Sequence, residues 1–183
     1  PRPGREESLY LQAALRQAAG DPAARAAAIG FAAKEPSSRP AAEIAVRLGH
    51  EALLAGDVEG AVSRYRAAAA DGPEPSAVGR TMLAWLRFQA GDAEDAVREL
   101  SRPLSDPAFP CSDPAPFERA VLSLAVRAWQ GVPPSGLDAY PPVKAGTCGG
   151  KALLAALWEA EEKRGNPLRA SDIFEVTARR FPA

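Results

Sequence analysis

Histidine, methionine and cysteine are almost missing from this chain. Its 183 residues include one His, one Met and two Cys. His50 is followed by Glu51 but by no second His, and two scattered cysteines do not complete a ligand set, so no metal site is expected. No Ser/His/Asp arrangement can be assembled and no cofactor is implied, so the chain reads as non-catalytic. Lysine occurs only at positions 34, 144, 151 and 163. Arginine brings the cations to 22 against 23 Asp and Glu, a net charge of −1. That balance offers no pull toward nucleic acid or an anionic membrane. No apolar run reaches the ~18 residues of a membrane span. Sparse β-branched residues speak against strands. The chain opens on Pro1, which is no translation start. An N-terminal segment is expected to have been removed, and with it any signal peptide or lipid anchor.

Alanine and other good helix formers are abundant. With 46% hydrophobic residues, this predicts a folded, all-α chain of a length suited to one domain. Pro1–Gly4 has no periodicity. Helical pattern begins near Arg5, with Leu9, Leu11, Leu15 and several Ala supplying a buried face. Gly20-Asp21-Pro22 closes that helix and opens the next: Gly just past the end, Asp as N-cap, Pro in the first turn. Gly56-Asp57 repeats the signal 36 residues on, Gly91-Asp92 a further 35, Gly131 40 after that, and Gly165-Asn166-Pro167 another 34. Five such marks, each between apolar-periodic stretches, are an internal repeat.

The spacing predicts helices over about 6–19, 22–34, 41–55, 58–71, 76–90, 93–104, 115–130, 151–164 and 168–180. They pair into hairpins of about 6–34, 41–71, 76–104, 115–131 and 151–181 within a single domain, 1–183. The fourth hairpin is incomplete, because 132–149 is too rich in Pro and Gly for a continuous helix. Glu159, Glu161 and Glu162 read as a solvated helix face.

The unit from Ala42 to Pro73 resembles a tetratricopeptide repeat. Leu48, Gly49, Ala52, Ala61, Tyr65, Ala68 and Pro73 stand where that family carries small or apolar residues. In the last unit Leu157, Ala170, Phe174 and Pro182 match, with Trp158 where a small residue is usual. In the third unit Leu83, Ala84 and Ala96 fit, and Leu100 replaces the aromatic. The resemblance implies a right-handed superhelix of antiparallel helix hairpins, an α-solenoid, in which small residues permit close helix crossings. It also implies a concave groove lined by Tyr10, Val46, His50, Leu53, Thr81, Trp85, Phe88 and Val121. Such a groove is apolar and aromatic, suited to a protein partner presenting an apolar helix or extended peptide. Trp85 and Phe88 have a second reading, as packing between units. The family's carboxylate clamp needs Lys and Asn where this chain has Val46, His50, Thr81 and Trp85, so an acidic C-terminal peptide is disfavoured.

A narrower stretch, Gly91–Pro110, is similar to a repeat of the bacterial type IV pilus pilotins. Leu104, Asp106, Pro107, Phe109 and Pro110 follow that family's helix-ending corner, although its flanking cysteines are absent. The implied role is an envelope assembly factor in the periplasm or on the periplasmic face of the outer membrane. A cytoplasmic regulatory adaptor is the alternative.

Cys111 and Cys148 both lie in irregular segments flanking the incomplete hairpin, which favours a disulfide over two free thiols. A bridge there would contribute about 4 kcal/mol by loop entropy and would imply an oxidising compartment. Cys148 also precedes Gly149-Gly150-Lys151 at a helix start, where its thiol pKa would fall, but no suitable His is near in sequence. The same stretch, AGTCGGKA, falls short of a phosphate loop: Ala145 replaces a Gly, Ala152 replaces the metal-binding Ser or Thr, and no strand precedes it.

Overall fold

Three glycine turns carry the same hydrogen bonds. After Ala55, the Asp57 N–H donates to the Ala52 carbonyl at 2.9 Å and the Gly56 N–H to that of Leu53 at 3.1 Å. Asp92 and Gly91 repeat the pair on Arg87 and Phe88 at 2.9 and 3.1 Å, and Asn166 and Gly165 on Glu161 and Glu162 at 3.0 Å each. The glycines take φ of +79°, +89° and +74°. This is the Schellman arrangement, which satisfies the last carbonyls of one helix and needs a left-handed residue that only Gly adopts cheaply. Gly131 differs. Its φ is −84°, and a Cβ on it would come within 3.1 Å of the Ala93 Cβ. The fourth mark is therefore a close helix approach and not a left-handed turn.

The computed structural model describes residues 22–69, 75–132, 144 and 146–180. Among them the chain forms eight helices and no strand. They are α1 Pro22–Lys34, α2 Arg39–Leu54, α3 Val58–Ala69, α4 Pro75–Gln89, α5 Ala93–Leu104, α6 Pro116–Gln130, α7 Cys148–Lys163 and α8 Pro167–Arg180. The helix expected over 6–19, and all but a few residues of 132–149, lie outside the described residues. Two boundaries differ from expectation. Helix α2 starts earlier because Ser38 caps it, its Oγ accepting the Ala41 N–H at 3.3 Å. Helix α7 starts at Cys148 rather than at 151, because Thr147 caps it and accepts the Gly150 N–H.

The chain divides into two compact units, Pro1–Met82 and Leu83–Ala183. In the first, α2 packs against α1 and α3. Ala28, Ile44 and Leu48 form its core, with Ile29, Phe31 and Ala32 against them. Tyr65 of α3 is fully buried. Gly49 lies so close to it that a Cβ there would stand 2.6 Å from the Tyr65 Cε1. Across the other side of α3, a Cβ on Gly79 would stand 2.9 Å from that of Ala68, and the Arg80 guanidinium donates to the Ala69 carbonyl. Small residues thus set the spacing of α3 from the helices on either side of it.

In the second unit α5 packs on α6 and α7, α6 on α7, and α7 on α8. Its core includes Ala84, Leu100, Leu104, Val121, Leu124 and Trp129. Phe109, from the corner after α5, is buried there too. The first residues of α7 are fastened to that corner. The Lys144 N–H donates to the Ser105 Oγ at 2.8 Å, Gly149 abuts the Leu104 carbonyl, and Cys111 is bonded to Cys148 with Cα atoms 4.7 Å apart. That pairing was among the sequence expectations.

Two outcomes follow. Gly49→Ala is expected to lower unfolding free energy by about 1–3 kcal/mol, because the buried Tyr65 ring has nowhere to move; urea denaturation measures it. Replacing both Cys111 and Cys148 by Ser is expected to cost about 2–4 kcal/mol in the same assay. Intact mass with and without reduction, after alkylation, reports the bond itself.

Candidate partner-binding surface

The expected groove residues fall in both units. In the first unit Val46 and Leu53 are half-buried on α2, and His50 is exposed. The His50 ring meets Tyr65 edge-on, with centroids 5.6 Å apart and planes at 67°. Thr81 is half-buried and its hydroxyl donates to the Ala77 carbonyl at 2.7 Å. Tyr10 lies outside the described residues.

In the second unit Trp85 keeps 36% of its surface exposed on α4. One turn on, Phe88 is half-buried against the core, with the Arg127 guanidinium 5.2 Å from its ring centroid. A cation over an aromatic face is attracted by the ring quadrupole. Arg87, between them in sequence, is ion-paired with Asp95, which also accepts from Arg98 at 3.0 Å. Val121 has to be corrected: it is 1% exposed and belongs to the core. The repeat register was carried into the fourth hairpin, but α6 turns this residue inward among Ala96, Leu100 and Leu153 of the same core.

Glu161 also overturns its expectation. It is completely buried on α7 and not part of a solvated face. Its Oε2 accepts from the Asn166 Nδ2 at 2.8 Å, and its Oε1 lies 4.0 Å from Arg169. Arg169 also donates to the Val132 carbonyl at 3.2 Å and stacks over the Trp129 ring, 5.7 Å from the centroid. The cluster joins the ends of α6 and α7 to the start of α8. The signal was available: Gly150, Leu153, Leu157 and Glu161 share one helix stripe. Asn166 stands where the two earlier turns have Asp, and an amide can donate to the carboxylate where an Asp would repel it.

Sequence reading also missed a cleft of about 360 Å³ in the first unit, between Ile29 and Ala32 of α1, Ile44 and Leu48 of α2, and Arg64 of α3. Its lining is mostly apolar. Elsewhere on α3, burial raises the Tyr65 pKa above its ordinary value, since a phenolate would have to be desolvated. The Tyr65 hydroxyl has no hydrogen-bond partner among the described residues.

Among the described residues no cluster of His, Cys, Asp and Glu is arranged to hold a metal ion, and no helix is long and apolar enough to cross a membrane. Comparison of the chain with protein-family models, curated proteins and solved structures gives no match.

Removing the buried carboxylate should be costly. Glu161→Ala, which takes the charge partner from beside Arg169 and leaves a cavity, is expected to destabilise by about 3–5 kcal/mol. Glu161→Gln retains a polar partner and should cost less. Thermal unfolding of the two variants side by side checks the order.

Proposed function

We propose that this chain is a non-catalytic protein–protein interaction scaffold of tetratricopeptide type, its hairpins wound as a right-handed solenoid. Its partner presents an apolar helix or extended peptide. The repeated Schellman turns and the Gly49–Tyr65 contact support the repeat reading. The observation that carries the binding reading is Trp85, an indole left 36% exposed with Met82 and Phe88 one turn to either side of it. Trp is a residue type that dominates interface energetics, and a Trp with one face packed and one face open is held ready at low entropic cost. Val46, His50 and Leu53 offer a further apolar strip in the first unit.

The setting proposed is the bacterial cell envelope, in the periplasm or on the periplasmic face of the outer membrane. The Cys111–Cys148 bond is compatible with an oxidising compartment. The pilotin-like corner supports the same setting through Phe109, which folds back into the core beyond the end of α5. Two alkylatable thiols in unreduced protein from its native compartment would move the reading to a cytoplasmic adaptor.

Trp85→Ala is expected to weaken binding of a partner recovered on the wild-type protein about 30-fold, near 2 kcal/mol, and to leave the melting temperature nearly unchanged. Calorimetric titration and thermal unfolding of the same variant decide it. A collapse in melting temperature would make Trp85 a core residue, and undiminished affinity would remove it from the interface.

A further inference from the structure

The cleft of the first unit combines an apolar floor with one cation. Ile44 and Leu48 of α2, 1% and 8% exposed, form the floor. Ile29 and Ala32 of α1 stand on one side of it, and Arg64 and Ala67 of α3 on the other. Helix α2 packs against both α1 and α3, so three helices of one compact unit wall the cleft. Water held there finds few hydrogen-bond partners on such a lining. The lining atoms also forgo the dispersion contacts that a filled cavity gives. A ligand with an apolar body restores those contacts and releases the water.

Arg64 is the one charged residue on the lining. Other arginines of the unit are engaged: Arg25 and Arg47 both pair with Glu51, and Arg39 pairs with Glu43. Arg64 has no ion pair or hydrogen bond among the described residues. A guanidinium is a planar fork that matches one carboxylate through two parallel hydrogen bonds. A phosphate carries more charge and is held by several donors at once, which a single cation in an apolar wall does not supply. Size narrows the ligand further. At roughly 30 Å³ per water-sized group, the cleft of about 360 Å³ holds about a dozen non-hydrogen atoms. That is too little for a helix of a partner protein and enough for an alkyl chain ending in one carboxylate.

We infer that this cleft binds a medium-chain carboxylate, its alkyl chain over Ile44 and Leu48 and its carboxylate on the Arg64 guanidinium. The inference does not rest on the reading of Trp85.

Equilibrium dialysis of the 183-residue chain against decanoate, decylammonium or acetate tests it. Decanoate is expected to bind at one site, at least about 10-fold more tightly than decylammonium, and acetate is expected not to bind. Arg64 is exposed, so Arg64→Glu should leave circular dichroism unchanged while reversing the order of the two long-chain ligands. Ala67→Trp, also at an exposed position, fills the cleft and should remove binding of both. A wild type that binds no decanoate up to about 1 mM overturns the inference. So does decanoate binding untouched by Ala67→Trp, which would lie elsewhere. Decanoate and decylammonium bound alike, or an order unchanged in Arg64→Glu, overturns the carboxylate pairing. Acetate bound as well as decanoate overturns the role of the alkyl chain.

Discussion

Gly49 lies against the Tyr65 ring with no room for a methyl group, and much of the first unit follows from that contact. It brings α2 and α3 close enough to exclude water from a phenol ring. It leaves the hydroxyl without a hydrogen-bond partner among the described residues, a cost of order 1–3 kcal/mol that the buried ring must outweigh. On another side of α3, Gly79 lies against Ala68 and the backbone of Tyr65, so a second helix approaches closely there too. Where the third hairpin substitutes Ala84 and Leu100, both fully buried, the same packing is met without a polar atom to satisfy.

The second unit is held by different means. The start of α7 is anchored to the corner after α5 through Ser105, Leu104 and the Cys111–Cys148 bond. At the other end of α7, Glu161 draws Asn166 and Arg169 inward. A buried charge pair adds little stability over an apolar pair of equal size, but it penalises misplacement heavily. Here it ties α8 to the end of α6. Polar and covalent fastenings thus hold both ends of α7.

Surfaces available for binding are those that the repeated packing does not consume. Trp85 and Phe88 share a helix, yet Phe88 is drawn to the core under Arg127 while Trp85 keeps an open face. Trp158 and Phe174 are open because no helix of the described residues covers their positions. Tyr65, at the corresponding position, is enclosed. An aromatic at one register position is therefore buried or open according to whether another helix arrives.

Much of the secondary structure was legible in the residues themselves. Gly-Asp and Gly-Asn pairs at near-constant spacing mark the turns, because the left-handed φ and the capping chemistry are local properties of those residues. The two cysteines, expected in irregular segments, pointed to their own pairing, although Cys148 opens α7. Local chemistry could not say where a side chain ends up once helices pack. Val121 was counted on an open wall and lies in the core. Glu161 was counted on a wet face and is buried with Arg169. Gly131 looked like a turn and is a close approach to Ala93. Each depends on which helix stands opposite, and that is set by the volumes of side chains distant in sequence. The sequence by itself determined that the chain is helical, where its helices stop and that they repeat. The tertiary structure alone decided which faces are spent on packing and which remain open, because burial is a property of neighbours and not of a residue.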